Sequence, residues 1–368
     1  MTNLLPEQQT TVHARRSGRL STPPAIEFQL PPDLEATVPP ELRPHGSGRR
    51  DDVRLLVLDR RTGATTHSTF RHLDRFLRRG DLLVVNSSRT VPALLRAVGD
   101  DGRPVEVRLA DHRGSRRWDA LLLDGRTHIG RDGLRLIFGE ELRARVLGRR
   151  RDLPFLWRLE FSLGGARLLD AIYRLGEPIR YSYVAGALPI DLYQTVYATE
   201  PGSVEMPSAG RPLSWEMLLN LRQKGVDTAS LVLHTGLSST RDDAVDALHP
   251  NYDETYAVPP ETADAVNRTY AAGGRVIAVG TTVVRALETV TGEDGITHAG
   301  HGRTRLHITP HSRLHGVDGL LTGLHEPQAS HLDLLSAFVR PEHLAPAYGE
   351  ALARRYLWHE FGDMNLIL

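Results

Sequence analysis

The chain contains no cysteine in 368 residues, which excludes a disulfide framework, a thiolate nucleophile and a cysteine-ligated metal. That absence fits a cytoplasmic location. Lys224 is the single lysine, so nearly all positive charge is carried by arginine. Arginine forks match phosphate oxygens, although GC-rich coding produces the same bias. No net charge marks the whole molecule as a polyanion binder, since 45 basic residues balance 45 acidic ones. No apolar run is long enough to span a bilayer, and residues 1–25 lack the apolar centre of a signal peptide. They read as a polar, disordered leader. The G-x-G-x-x-G, G-K-[ST] and G-x-S-x-G patterns are also missing, which argues against dinucleotide, Walker A and nucleophile-elbow sites.

What is present falls into two textures. Residues 26–87 and 179–368 carry short apolar strands alternating with helical periodicity, as in "ASLVLHTG", "ETADAVNRTYAAGG", "RVIAVG" and "TVVRALETV". This predicts an α/β main domain, a sheet covered by helices. Phe70, Leu73, Phe76 and Leu77 predict a further helix, and "TRLHITP" a further strand. Between them, residues 88–178 read as several short alternating strands separated by "DDGR", "DHRGSR" and "RRRD". An inserted, small all-β, barrel-like domain follows. It holds 18 Arg against 13 Asp plus Glu, consistent with a nucleic-acid face or with solvated loop tips.

Four stretches carry candidate chemistry. "GGRVIAVGTTVVRALE" ends a strand in Gly280, Thr281 and Thr282 and opens a helix bearing Arg285. Such a terminus offers backbone amides to a carboxylate or phosphate, and strand ends are where α/β sheets keep ligands. An ordinary capped helix, with Arg285 paired to a carboxylate, explains the same residues. "PSAG", Pro207, Ser208, Ala209 and Gly210, is a small-residue loop that permits close backbone approach. "VDGLLTGLHEP" brings Asp318 and His325, able to move protons or to shape turns. "LHPNYDETYAV" adds His249 near Glu254 and Tyr256. Five histidines in "THAGHGRTRLHITPHSRLHG" lack metal-ligand spacing, so no metal is expected.

Taken together, "LPPDL", "RRDDVRLLVLDRRTG", "LRRGDLLVVNSSRTVPALL", "YQTVYATEPGSVEMPSAG", "LVLHTG", "GGRVIAVGTTVVRALE", "VDGLLTGLHEPQAS" and "AYGEALARRYLWHEFGDMNLIL" resemble the S-adenosylmethionine:tRNA ribosyltransferase-isomerase family of queuosine biosynthesis, collinearly from about residue 26. The resemblance implies transfer of the ribosyl part of S-adenosylmethionine to the aminomethyl group of a 7-deazaguanine in tRNA, giving epoxyqueuosine and releasing adenine and methionine. Such chemistry needs a general base, an anion site for the methionine carboxylate and a purine pocket. On the resemblance, His249, Asp318 and His325 are the proton-transfer candidates. The Gly280–Thr282 turn, Arg285 and the 207–210 loop are expected to hold S-adenosylmethionine. His234, Arg54, Arg89 and Asp363 match family positions and join the substrate-binding set, with an internal salt bridge as the alternative for the two arginines. The expected partners are tRNA and S-adenosylmethionine, with no membrane, and the chain is expected to be a monomer or weak homo-oligomer.

The motif loops depart from the family pattern. Pro212 stands where the family has histidine, Ser87 where it has an acid, and Gly323, Leu324 and Glu326 where it has an amide and apolar residues. "LHTGLSSTR" loses a glycine and an aromatic. These changes leave open a divergent paralogue that uses S-adenosylmethionine with a non-tRNA acceptor, or a non-catalytic binding protein of the same fold.

Overall fold

A computed structural model describes residues 26–184, 186–237, 253–327 and 329–368. The expected leader, residues 1–25, and His249 lie outside them. The first strands are β1 (Arg54–Leu58), β2 (Thr65–Thr69), β3 (Leu82–Asn86) and β4 (Ser88–Thr90). The inserted unit follows with β5 (Leu94–Gly99), β6 (Pro104–His112), β7 (Arg117–Asp124), β8 (Thr127–His128), β9 (Arg135–Phe138), β10 (Leu142–Arg149), β11 (Trp157–Phe161) and α1 (Ala166–Leu175). The chain returns through β12 (Glu200–Ser203), α2 (Trp215–Lys224), β13 (Asp227–Leu233), β14 (Glu254–Val258), α3 (Pro260–Ala271), β15 (Val276–Val279) and α4 (Thr281–Val290). It finishes with β16 (Gly300–Thr304), β17 (Gly319–Gly323), α5 (His331–Phe338), α6 (Pro341–Ala353) and β18 (Met364–Ile367).

The main sheet has nine strands in the order β16-β14-β13-β3-β15-β17-β18-β1-β2. β13, β3, β15 and β17 run parallel, so their carboxyl ends emerge at one edge. Period-two alternation sends the two faces of each central strand into different cores. Leu56, Leu58, Leu82 and Val84 join one cluster with α3, α4, α5 and α6, while Leu55, Val57, Leu83 and Val85 join another with α2. This is an α/β fold whose central strands are apolar on both sides, as helix-covered parallel strands must be.

In the insertion, β5, β6, β7, β11, β10 and β9 pair antiparallel in a closed ring. Alternating inward residues such as Leu136, Phe138, Ala144, Val146, Leu159 and Phe161 fill the barrel. A helix, α1, covers it with Leu168, Ala171 and Ile172, which the strand-like reading of 88–178 did not contain.

Three local expectations change. The helix over 70–77 is instead two short 3-10 turns within Phe70–Arg75, joined by a kink at His72. Strand β2 runs through Thr69 and Phe70 N then bonds Val53 O at 2.9 Å, which leaves no room for a longer helix. The strand expected from "TRLHITP" lies earlier, at Gly300–Thr304, in register with β14. "GLLTG" looks like a turn yet forms buried β17. A Cβ on Gly319 would sit within 2.9 Å of Ile277 and of the Ile367 carbonyl, so a side-chain-free residue is needed for strand approach.

Arg211, which follows the 207–210 loop, is only 2% exposed. Its Nη2 donates to both Glu41 oxygens at 2.9 and 2.8 Å, its Nε to Leu192 O, and its plane lies over Phe361. Removing one partner leaves a buried charge uncompensated. Glu41→Ala is expected to cost about 3 kcal/mol in urea unfolding, and the double change Glu41→Leu/Arg211→Leu to recover most of that loss.

Candidate functional site at the carboxyl edge of the sheet

Asn86 closes β3 with its side chain in the gap toward β13. Its Oδ1 accepts from Leu233 N at 3.0 Å and Ser88 N at 3.1 Å, and its Nδ2 donates to Leu233 O at 2.8 Å and Thr282 Oγ1 at 3.2 Å. One buried amide thus ties two strand ends to the first turn of α4. Beside it Gly280 adopts φ 92°, a left-handed value that favours glycine, and its N–H bonds Leu321 O at 2.8 Å. No side chain caps α4. Its first turn therefore presents main-chain donors to whatever occupies the space beyond the sheet.

That space is a partly open cleft of about 140 Å3. The Gly280–Thr282 turn forms its floor, Pro207, Ser208 and Ala209 one wall, and His325, His331 and His359 another. Gly210 backs that wall: a Cβ there would overlap the Tyr197 hydroxyl. His325 is buried, and its Nε2 is hydrogen bonded to Thr322 Oγ1 at 2.8 Å. Its ring stacks on His331 with centroids 4.7 Å apart. Burial, helped by His359, lowers its pKa to about 3, so it is neutral at physiological pH. His359, itself at φ 70°, bonds the Tyr183 hydroxyl at 2.9 Å and is also depressed by burial. Beneath them Glu205 accepts from the Tyr181 hydroxyl. Buried Glu360 has its pKa pushed up by desolvation and by the Glu205 charge.

Other expected residues have structural partners already. Arg285 lines the cleft, but its guanidinium pairs with Glu254 and its Nε donates to Leu306 O at 2.9 Å. Glu254 in turn accepts from Gly236 N. Asp318 stands at the opposite end of the sheet from the cleft. Its Oδ2 accepts from Val276 N at 2.8 Å, at the start of the strand whose end carries Gly280. Arg54 and Asp363 bond each other, with Asp363 also accepting from the Leu357 and Arg54 amides. Together they anchor β1 to the approach of β18. Arg89 sits half-buried on β4, in register with Pro201. His234 lies beyond the cleft wall, its Nδ1 2.7 Å from Ser88 Oγ, with a pKa lowered to about 4 by burial. The structure thus groups Pro207, Ser208, Ala209, Gly280, Thr281, Thr282, Arg285 and His325 around one space, and sets Asp318, Arg54 and Asp363 apart.

The sequence reading missed Asn86, Tyr181, Glu205, His331 and His359. Asn86 had a signal, a polar residue ending an apolar strand. The others come from separate loops that only the fold brings together. Among the described residues, no group of three His, Asp or Glu side chains is arranged to hold a metal.

The family model for "Queuosine biosynthesis protein" matches residues 24–367. The chain belongs to this family. It is 41% identical over 327 residues to the S-adenosylmethionine:tRNA ribosyltransferase-isomerase of Moorella thermoacetica, covering 87% of this chain and 94% of that protein. It is 38% identical to the protein of the same name from Carboxydothermus hydrogenoformans, with the same coverage. In structure it is similar to the crystal structure of S-adenosylmethionine tRNA ribosyltransferase from Thermotoga maritima, with a TM-score of 0.52 and 31% identity over 94% of this chain and 100% of that one.

Neutral, buried histidines make this edge sensitive to acid. His234, His325 and His359 all have folded pKa values below the ordinary 6.5. Between those values and 6.5 the unfolded chain binds protons that the folded chain does not, so stability falls as pH drops through 6.5 toward 4. Each histidine contributes at most about 1.4 kcal/mol per pH unit. Urea midpoints at pH 7, 6 and 5 are expected to fall progressively in the wild type and less steeply in His325→Asn.

Proposed function

We propose that the protein transfers and isomerises the ribosyl moiety of S-adenosylmethionine onto the aminomethyl group of 7-aminomethyl-7-deazaguanine in tRNA, giving epoxyqueuosine with release of adenine and methionine. One observation carries this reading: the chain aligns with relatives named for that activity across 94% of their length, at about 40% identity. The cleft supplies matching chemistry. The uncapped turn at Thr281 and Thr282 offers amides to the methionine carboxylate. The 207–210 loop, with small side chains, leaves room for a flat purine beside it.

The sulfonium acidifies the hydrogens on the adjacent ribose carbon, and a base removes one as adenine leaves. His325 is the proton acceptor in this proposal, because it faces the cleft. His331, stacked on it, extends the imidazole wall and shields the site from water. The acceptor amine then attacks the sugar, and a ribose hydroxyl displaces methionine to close the epoxide. Arg285 serves this scheme by holding Glu254 and the end of β16 in place rather than by meeting the substrate directly.

A second reading, the same donor with a smaller acceptor, rests on the motif departures. Pro212 and Gly323 share a small cavity with Glu360 just behind the cleft, where the family pattern has larger polar groups. One assay separates the two readings. Purified protein is incubated with S-adenosylmethionine, with and without deazaguanine-containing tRNA, and adenine, methionine and the tRNA mass are followed. Release only with tRNA, with the ribosyl mass added to it, is the expected outcome. Donor binding by calorimetry without tRNA-dependent release would transfer the proposal to another acceptor. In the same assay His325→Gln is expected to lower kcat by roughly 10²- to 10³-fold while the Kd for S-adenosylmethionine changes little.

A further inference from the structure

A second concavity lies beside the cleft, where the barrel meets the main sheet. Among the described residues it is lined by seven arginines and only two aspartates. One wall is the end of β10 and the turn after it, with Arg149 and Arg151. Another comes from β7 and β11 with Arg117 and Arg158, and Asp253 and Arg305 close it from the main domain. Between groove and cleft sits a small cavity. Gly236 and Glu254 line both it and the cleft, and Arg150 and Asp253 line both it and the groove. The groove and the cleft are therefore neighbours that share this wall.

The arginines divide into two kinds. Arg150 is buried and bonded to Asp119, Asp152 and Asp253, and Arg113 to Asp119 and Asp253, so they build the junction. Arg149 and Arg151, one residue to either side, are exposed. Arg149 lies over the Trp157 ring at 4.5 Å and neither residue has an ion-pair partner among the described residues. The same outer face of β10 also carries Arg143 and Arg145. Arg145 stands between Arg135 of β9 and Glu160 of β11, and Arg135 is paired with Asp100. Of the other groove arginines, Arg117 pairs with Glu160, Arg158 with Asp119 and Arg305 with Asp152. Arg149 and Arg151 are thus two exposed guanidiniums set over a braced junction beside the cleft, which suits a ligand that brings closely spaced negative charge.

We propose that this groove binds the phosphate backbone of RNA next to the cleft. The proposal rests on the tRNA reading above. It identifies the contact surface as Arg149 and Arg151, with Arg305 on the main-domain side of the groove, rather than the barrel as a whole.

Anisotropy of labelled tRNA is measured from 50 to 300 mM salt for wild type, Arg149→Ala/Arg151→Ala, Arg149→Lys/Arg151→Lys and Arg222→Ala, the last on exposed α2 away from the groove. The alanine pair is expected to weaken binding roughly 10-fold or more at low salt and to reduce the log–log salt slope by about two. The lysine pair, which keeps point charges, is expected to retain most of the slope. Arg222→Ala is expected to match wild type. The proposal is overturned if the alanine pair binds like wild type, if the lysine pair loses as much as the alanine pair, or if wild type binds no RNA. The tRNA-dependent release assay, run on the same samples, separates the two ideas. Release by wild type with an unchanged tRNA KM in the alanine pair sinks the groove and spares the reaction. Absent release with a lost salt slope sinks the reaction and spares the groove.

Discussion

The side chain of Asn86 is the constraint on which the cleft depends. Parallel strands β3 and β13 must stop hydrogen bonding to each other for anything to enter between their carboxyl ends, and stopping exposes main-chain groups that are costly to bury unpaired. One carboxamide supplies an acceptor to Leu233 N and a donor to Leu233 O, so the strands part without losing either bond. The same group reaches Thr282 and aligns the first turn of α4. Sheet edge, helix terminus and cleft floor therefore share one polar residue that is 2% exposed. The barrel insertion leaves the main domain directly after this residue, through β4. Its paired strand, β12, returns just before the Pro207–Gly210 loop, so the insertion's exit and re-entry are clamped beside the site.

Much of this was legible in the sequence, for identifiable reasons. The barrel announced itself because β9, β10 and β11 alternate between interior residues such as Leu136, Phe138, Val146 and Phe161 and outward Arg135, Arg143, Arg145 and Glu160. The Gly280 turn was legible because few structures other than a strand-to-helix corner need glycine and two threonines after an apolar run. Pairing was not legible. Asp318 and His325 sit on one short motif, but β17 runs between them, so one lies at the amino edge of the sheet and the other at the carboxyl edge. Sequence proximity of seven residues thus became separation by the length of a strand. Conversely, Arg285 and Glu254 read as separate candidates and proved to be partners, because α4 crosses β14. His359 was hidden because its positive φ arises from a C-terminal loop packed against Tyr181 and Tyr183 from a different domain junction.

The departures from the family pattern acquire physical content in the fold. Arg211, beside Pro212, is satisfied by Glu41 rather than by anything in the cleft, so this stretch behaves as a braced wall. Ser87 directs its hydroxyl to Leu231 O and fits the strand gap without charge. Glu326 acts electrostatically: its carboxylate raises Glu35 after burial has already done so. Pro212 and Gly323 lie behind the 207–210 loop near His359, while the Gly280 turn and Asn86 keep the first turn of α4 aligned with the cleft. Variation in what the cleft accepts is compatible with constancy in what it is built on.

Strand β18 has a consequence for how the molecule is made. It lies between β17 and β1, so the hairpin of β1 and β2 joins the main sheet only through residues 309 positions later, as in the Arg54 to Asp363 contact. At ordinary translation speeds of about 5–20 residues per second, the hairpin waits roughly 15 to 60 s on the ribosome before its partner exists. The barrel, whose ring closes within residues 94–161, has no such delay. Synthesis thus presents a finished barrel first, while one edge of an apolar sheet stays unpaired until the last strand arrives. In the nascent chain, that open edge is the place where a chaperone would be needed and where a stalled or shortened product would aggregate.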